Sequence, residues 1–189
     1  WNATRKWPRA ASDKAAALGL LGLYAPAEWG GQGLSLGDGI RVYEELGKGD
    51  GAYAFALSMH NICTFAVCGF GSEALKRDWA RDLTTGRKLA NFSLTEPQSG
   101  SDASTMYSKA RINGDGTWTI NGAKAWVSLA GEADIYLTVV KTSDAPGHKD
   151  MAMIAIPKGS KGLSFGPLYD TPSYNFLPMG EMYLDNVTV

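Results

Sequence analysis

Residues 91–102 read Asn-Phe-Ser-Leu-Thr-Glu-Pro-Gln-Ser-Gly-Ser-Asp, a strand-like run that breaks into small polar residues. Phe92 and Leu94 form the apolar entry. Pro97 cannot donate a ladder hydrogen bond, and Gly100 permits backbone angles that other residues avoid. We therefore predict a strand that ends in a tight loop rich in backbone N–H groups and hydroxyls. Such a loop suits a phosphate or the polar edge of a planar cofactor, although an ordinary strand-to-turn exit has the same composition.

Upstream of this stretch, apolar periodicity predicts four helices joined by short loops. They cover residues 12–23, 35–47, 51–68 and 72–86. Ser35 and Ser72 are suited to cap the second and the fourth helix. The third is almost wholly apolar but contains Ser58, His60 and Asn61, which favours a helix buried in the protein over a membrane span. Within it, we interpret His60 as a hydrogen-bonded core residue.

Downstream, the pattern changes to short strands with no helices between them. They are predicted at residues 88–94, 108–112, 117–120, 123–127, 135–141, 151–156, 163–165 and 182–187. Asn121-Gly122 predicts a tight hairpin turn, and a polar loop runs through Pro146, Gly147 and His148. The fold class is therefore α+β: an N-terminal helical bundle over residues 1–90, followed by an antiparallel β-sandwich or barrel domain over residues 91–189.

Composition excludes several classes of partner. The 189 residues are 44% hydrophobic, with a net charge of -1, so neither nucleic acid nor an anionic membrane is expected. Cys63 and Cys68 lie five apart on one predicted helix, which disfavours a disulfide between them and leads us to expect a cytoplasmic protein. The two histidines, His60 and His148, are isolated from other ligands, so no metal site is predicted. Rossmann, P-loop and G-x-S-x-G motifs are absent from the sequence.

The two ends of the sequence also suggest an expectation. The chain begins at Trp1 rather than at a methionine, and its last residues, 183–189, read as an alternating strand with no turn after it. We expect a piece of a longer polypeptide.

Several stretches together resemble the acyl-CoA dehydrogenase family of flavoproteins. Residues 94–102, Leu-Thr-Glu-Pro-x-x-Gly-Ser-Asp, look like the family signature. Residues 121–128, Asn-Gly-Ala-Lys-Ala-Trp-Val-Ser, are similar to its second flavin motif. Residues 24–33 and 71–86 resemble the loop after the early helices and the helix that leads into the signature. The order and spacing of these stretches agree over nearly the whole chain.

The resemblance implies an N-terminal helical domain, a middle β-domain with the flavin motifs, and a C-terminal helical domain that is missing here. It also implies FAD as cofactor, with Thr95 toward the pyrimidine edge of the flavin, Trp126 against the ring and Ser128 near N5. Ser101 would approach a phosphate or the pantetheine region of the substrate. The residues implied at the cofactor are Phe92, Leu94, Thr95, Gly100, Ser101, Trp126, Val127 and Ser128.

The family reaction removes an α-proton and a β-hydride from an acyl thioester, and its general base is a glutamate that usually comes from the C-terminal domain. No residue here matches that glutamate, so we predict no catalytic residue in this chain and no dehydrogenase activity of the chain alone. The motif position of Glu96 indicates a structural carboxylate, and we interpret Asp102 as a loop or helix cap. The full-length protein is expected to be a homo-oligomer.

One segment departs from the family pattern and leaves alternatives open. Where the family commonly carries an Arg-Gly-Ser or similar polar run that helps to hold CoA, residues 173–182 are apolar and aromatic. An acyl group on a carrier protein, or a substrate without a thioester, is therefore an alternative to acyl-CoA. A flavin-dependent monooxygenase or oxidase on the same fold, or a non-catalytic assembly module, is an alternative to the dehydrogenase.

Overall fold

A computed structural model describes residues 5–144 and 149–189, so the predicted loop through Pro146, Gly147 and His148 lies outside the described residues. The chain divides into two compact units. The first contains the residues up to Ala90 together with Asp170–Leu177, and the second contains Asn91–Tyr169 with Pro178–Val189. No local sequence signal indicates that residues 170–177 belong to the helical unit.

The first unit is helical, as the sequence predicts. Its elements are α1 (Arg9–Ala17), a 3₁₀ turn (Ala27–Trp29), α2 (Leu36–Gly49), α3 (Gly51–Phe70), α4 (Glu73–Leu75), a π-helical turn (Lys76–Ala80) and α5 (Arg81–Thr84). Ser35, Asp50 and Ser72 each accept a hydrogen bond from a backbone N–H in the first turn of the helix that follows. These caps satisfy N–H groups that have no partner within the helix, and the predicted helix starts at Ser35 and Ser72 are confirmed.

The first helix differs from the prediction of residues 12–23. It begins at Arg9 and ends at Ala17, so Ser12 is a buried position inside it rather than its start. Gly19 has a φ of +74°, a left-handed conformation that ends a helix. Leu21 and Leu23 therefore lie in an irregular segment and not on a helix, although their side chains are buried.

Helix α3 is long and apolar enough to cross a membrane by length and composition, and 56% of that apolar window is buried inside the protein. His60 on this helix is 1% exposed. Its Nδ1 accepts from the Ala90 N–H at 3.0 Å, so its Nε2–H donates to the Leu83 carbonyl, also at 3.0 Å. Burial lowers the pKa of His60 to about 4. The interpretation of His60 as a hydrogen-bonded core residue is confirmed, and Cys63 and Cys68 are both buried free thiols.

The second unit contains a seven-stranded sheet. Its strands are β1 (Ala90–Ser93), β2 (Lys109–Ile112), β3 (Trp118–Ser128), β4 (Ile135–Lys141), β5 (Met151–Pro157), β6 (Leu163–Leu168) and β7 (Met179–Thr188). The order is β1-β4-β2-β3-β7-β6, and β5 also pairs with β4. Fully buried apolar side chains from these strands form the core, among them Ile120, Val127, Ile135, Tyr136, Ile156, Met182 and Val187.

The sheet is mixed, which corrects the prediction of a purely antiparallel domain. Strands β2 and β3 are antiparallel neighbours, but β4 lies on the other side of β2 and pairs with it in parallel through Lys109 and Lys141. The chain reverses between β2 and β3 and again before β4. After two reversals β4 runs in the same direction as β2.

Strand β3 also corrects the predicted turn at Asn121-Gly122. The strand is continuous through these residues, and its pairing with β7 shifts register between Ile120 and Gly122. Gly122 has a φ of +150°, and a Cβ there would lie 2.2 Å from the Ser108 Oγ. Glycine is needed here because Ser108, which directly precedes β2, approaches closely, and not because the chain turns back.

Candidate functional site

The loop after β1 is a two-residue turn. The Glu96 N–H donates to the Ser99 carbonyl at 2.8 Å and the Ser99 N–H donates back to Glu96 at 3.1 Å, with Pro97 and Gln98 at the tip. Gly100 does not adopt a left-handed φ, contrary to the expectation of unusual backbone angles there. A Cβ added at Gly100 would meet nothing within 4 Å. The packing of the chain therefore does not require glycine at this position, and the loop leaves open space beside it.

Asp102 closes this loop. Its carboxylate accepts from the Ser104 N–H at 3.0 Å and so caps the 3₁₀ turn Ala103–Thr105. Its carbonyl accepts from the Ser99 and Thr105 hydroxyls, both at 2.8 Å. The interpretation of Asp102 as a cap is confirmed, and Ser101 beside it is exposed.

Glu96 lies at the centre of a buried network. Its Oε1 accepts from Lys124 Nζ at 2.7 Å and from the Ser108 N–H at 3.0 Å. Its Oε2 accepts from the Tyr107 N–H at 2.6 Å and from Gln98 Nε2 at 2.7 Å. Glu96 is 3% exposed and Lys124 is 0% exposed. The interpretation of Glu96 as a structural carboxylate is confirmed.

The burial and hydrogen bonds of Glu96 make it a poor candidate for a general base. Burial alone would raise the pKa of Glu96, but the hydrogen bonds from Lys124, Ser108 and Tyr107 outweigh burial and lower it to about 2. Burial lowers the pKa of Lys124, and the adjacent Glu96 opposes that shift. A carboxylate so acidic and already bonded to four donors is a poor proton acceptor at neutral pH.

The same lysine joins the two motif segments. Lys124 Nζ donates to the Leu94 carbonyl at 3.1 Å as well as to Glu96. The Ala125 N–H donates to the Thr95 carbonyl at 2.8 Å. Residues 94–96 and 124–125, about 30 positions apart in the sequence, are thus hydrogen-bonded to each other.

Trp126 follows directly in a β-bulge. The pairing of β3 with β7 shifts register between Lys124 and Val127, and Trp126 within the shift has a φ of 57°. The Trp126 residue is 59% exposed, whereas Val127 and Ser128 are buried. A left-handed backbone costs a residue with a Cβ about 1–2 kcal/mol, and such conformations cluster where a ligand or partner is bound.

The ring of Trp126 contacts a residue that is not among the predicted site residues. The Tyr169 ring centroid lies 4.6 Å from that of Trp126. The Tyr169 hydroxyl approaches Glu181, and the Tyr183 hydroxyl donates to the same carboxylate. Burial, and then the negative charge of Glu181, raise the pKa of Tyr169. No local sequence signal points to Tyr169, because its contact with Trp126 depends on long-range pairing.

The remaining predicted site residues are placed as follows. Phe92, Leu94 and Thr95 are half-buried at the end of β1. Gly100 and Ser101 are exposed on the loop. In the described part of the chain, these two residues lie outside the hydrogen-bonded network around Glu96. A planar cofactor fits these features: apolar surface on β1, an exposed indole on a strained bulge, and a glycine beside open space. The contact of each of these residues with a cofactor stays a prediction.

Two cavities lie away from these residues. One of about 470 Å³ is lined within the helical unit by residues that include Arg9, Gln32 and Thr84. Another of about 350 Å³ is lined within the second unit by residues that include Met106, Tyr107 and Asp144. Neither of these two cavities is lined by a predicted site residue.

Comparison with known proteins gives two family matches. Residues 1–87 match "Acyl-CoA dehydrogenase, N-terminal domain", and residues 91–187 match "Acyl-CoA dehydrogenase, middle domain". An isobutyryl-CoA dehydrogenase of Dictyostelium discoideum is 32% identical, covering 100% of this chain and 45% of the relative. An L-prolyl-[peptidyl-carrier protein] dehydrogenase of Pseudomonas fluorescens is 32% identical, covering 90% and 46%. The chain spans about half the length of the curated relatives that it matches.

Solved structures of acyl-CoA dehydrogenases are also similar to this chain, over about half of their own length. A glutaryl-coenzyme A dehydrogenase in complex with glutaryl-CoA has a TM-score of 0.93 at 32% identity, covering 100% of this chain and 49% of that one. The FAD complex of PigA has a TM-score of 0.93 at 28% identity, covering 99% and 49%. A butyryl-CoA dehydrogenase from Megasphaera elsdenii has a TM-score of 0.89 at 32% identity, covering 98% and 50%.

Proposed function

Because the chain belongs to the acyl-CoA dehydrogenase family, we propose that its second unit holds FAD within an enzyme that dehydrogenates acyl thioesters. The observation that carries the proposal is the hydrogen-bonded junction between residues 94–96 and 124–125, which fixes the exposed, strained Trp126 next to the signature loop.

The residues present would hold the cofactor in the following way. Phe92 and Leu94 offer apolar surface to the flavin ring, Trp126 packs against it, and the N–H and hydroxyl of Thr95 donate to its pyrimidine edge. FAD, when bound, supplies the hydride acceptor. The Thr95 donors would stabilise negative charge at the pyrimidine edge, and the open space at Gly100 would admit the close approach of a phosphate or substrate.

The proton acceptor of the reaction is proposed to lie outside these 189 residues. Proton abstraction needs a base within hydrogen-bond reach of the substrate carbon and with a pKa near the working pH. Glu96, the acidic residue inside the signature, is buried, bonded to four donors and has a pKa of about 2. The FAD-loaded chain should therefore remain oxidised when butyryl-CoA is added, and loss of its visible absorption would contradict this assignment.

The substrate is proposed to be an acyl thioester, carried either by CoA or by a carrier protein. Of the segment 173–182, which replaces the family's polar run, residues 173–177 belong to the helical unit, where Phe176 is fully buried and its ring lies 6.3 Å from that of Trp7. These side chains stabilise the fold and offer CoA no charge. Relatives named for both kinds of carrier are similar to this chain.

The test of FAD binding uses the purified 189-residue chain. We expect saturable binding by equilibrium dialysis and an altered flavin absorption spectrum. Trp126→Ala should weaken binding about tenfold, since an aromatic contact is worth about 0.5–1.5 kcal/mol beyond area burial. The control is Ile112→Ala, which truncates another exposed apolar side chain of the same unit and should leave binding unchanged. Absence of binding to the unmodified chain would overturn the proposal.

A further inference from the structure

Lys124 is a costly residue for the interior of a sheet. Its side chain is fully buried, and it faces Glu96 in an ion pair that is also fully enclosed. Replacing such a pair by apolar residues of similar size is often neutral or stabilising, because desolvation offsets the Coulombic attraction. Stability of the fold therefore does not explain a lysine at this position.

The second hydrogen bond of the amine suggests what the lysine does. Lys124 Nζ holds the Leu94 carbonyl at 3.1 Å. The peptide between Leu94 and Thr95 is trans and planar, so its N–H, which belongs to Thr95, points in the direction opposite to that carbonyl. Fixing the Leu94 oxygen on Lys124 therefore aims the Thr95 N–H away from the buried amine.

The next peptide is fixed as well. The Thr95 carbonyl accepts from the Ala125 N–H at 2.8 Å. With the peptides on both sides of Thr95 held by consecutive residues of β3, the backbone angles of Thr95 and the direction of its side chain are set. Trp126 follows these two residues directly, so the same short segment places both the threonine and the indole.

We propose that Lys124 is a positioning residue for the cofactor: through the Leu94 carbonyl, it orients the Thr95 N–H that donates to the pyrimidine edge of FAD. This inference rests on the proposed function. Lys124 itself is enclosed beneath the loop and does not touch the cofactor. Glu96 is the counterion of this buried amine, and the N–H groups of Tyr107 and Ser108 fix its carboxylate.

The test compares two variants that share one substitution. Glu96→Gln removes the carboxylate charge but keeps the Lys124 amine as donor to Leu94. The double variant Glu96→Gln/Lys124→Met removes that donor and fills its volume with an apolar chain. We expect FAD to bind Glu96→Gln within about threefold of the unmodified chain, and to bind the double variant at least about tenfold more weakly.

A readout without cofactor separates orientation from general loss of structure. In the apo protein, the Ala125 N–H should exchange with solvent at least about tenfold faster in the double variant than in Glu96→Gln, while core amides of β4 exchange at similar rates in both. Equal FAD affinity and equal exchange in the two variants would overturn the inference. If the unmodified chain binds no FAD, the proposed function fails, and the exchange rates still decide whether Lys124 fixes the peptide.

If the double variant does not fold, a substitution that keeps N–H donors at position 124 provides a second test. Lys124→Arg keeps N–H groups that can reach both Leu94 and Glu96. Its FAD affinity and its Ala125 exchange rate are expected to stay within about threefold of those of the unmodified chain. A folded Lys124→Arg protein with unchanged exchange but FAD binding weakened more than about tenfold would overturn the inference.

Discussion

Trp126 should be one of the positions in this sheet where glycine is more stabilising than alanine. Its φ of 57° lies in the left-handed region, which is unfavourable for any residue with a Cβ. Replacing the tryptophan by alanine removes the ring but keeps the strained backbone. Replacing it by glycine removes both. The comparison of the two variants therefore isolates the backbone contribution from the loss of the indole.

The magnitude follows from two opposing effects. Relief of the left-handed conformation favours glycine by about 1–2 kcal/mol. The greater freedom of glycine in the unfolded chain opposes this by about 0.5–1 kcal/mol. Loss of the indole, which is 59% exposed and contacts Tyr169, is common to both variants and cancels. We expect Trp126→Gly to exceed Trp126→Ala in free energy of unfolding by about 1 kcal/mol.

Urea unfolding followed by circular dichroism measures this difference. Thr119 on the same strand, in regular register opposite Thr188, supplies the matched control. There, Thr119→Ala should be more stable than Thr119→Gly by about 0.5–1 kcal/mol, the ordinary order for a strand. If the alanine variant at position 126 is as stable as the glycine variant or more stable, the backbone at Trp126 carries no strain. Both variants at 126 should bind FAD equally weakly.

Three further predictions concern buried or closely packed groups. Lys124→Met leaves Glu96 buried without its cation and should lower the free energy of unfolding, measured with urea, by about 3–5 kcal/mol. Adding Glu96→Gln should recover most of this loss. Equal losses in the single and double variants would contradict the ion pair. His60 has a pKa of about 4 against 6.5 ordinarily, so the stability that it contributes is complete above pH 6.5 and is lost as the pH falls toward 4. The free energy of unfolding should fall by about 3 kcal/mol over this range. Urea unfolding at several pH values measures this fall. The same pH dependence in a His60→Gln variant would show that His60 does not cause it. Gly122→Ala should lower the thermal midpoint clearly, because its Cβ would lie 2.2 Å from a side-chain oxygen, whereas Gly114→Ala, which meets nothing within 4 Å, should change it little.

The sequence predicted the kind of most elements and the segments of the site, because these depend on local signals. Ser35 and Ser72 were recognisable as caps, and the break at Pro97 was recognisable as the end of a strand. The acidic residues of the loop were also interpreted correctly. The position of Glu96 in a motif that resembles the family signature implies a structural carboxylate, and Asp102 in a polar loop favours a cap; both carboxylates accept hydrogen bonds from backbone N–H groups.

The features that the sequence did not predict depend on contacts between distant residues. Asn121-Gly122 is a strong hairpin signal, yet β7 pairs along both sides of it and keeps β3 continuous. The parallel pairing of β2 with β4 likewise follows from strand order, which a one-dimensional pattern does not contain. Lys124 was visible within its motif, but its bond to the Leu94 carbonyl appears only once β1 and β3 are placed together.

In the proposed function, the second unit of this chain holds FAD on Thr95 and Trp126. Equilibrium dialysis of the purified chain against FAD tests it most directly, with the double variant Glu96→Gln/Lys124→Met and Trp126→Ala measured beside it. We expect saturable, stoichiometric binding to the unmodified chain and weaker binding to both variants. Absence of saturable binding to a folded, unmodified chain would contradict it.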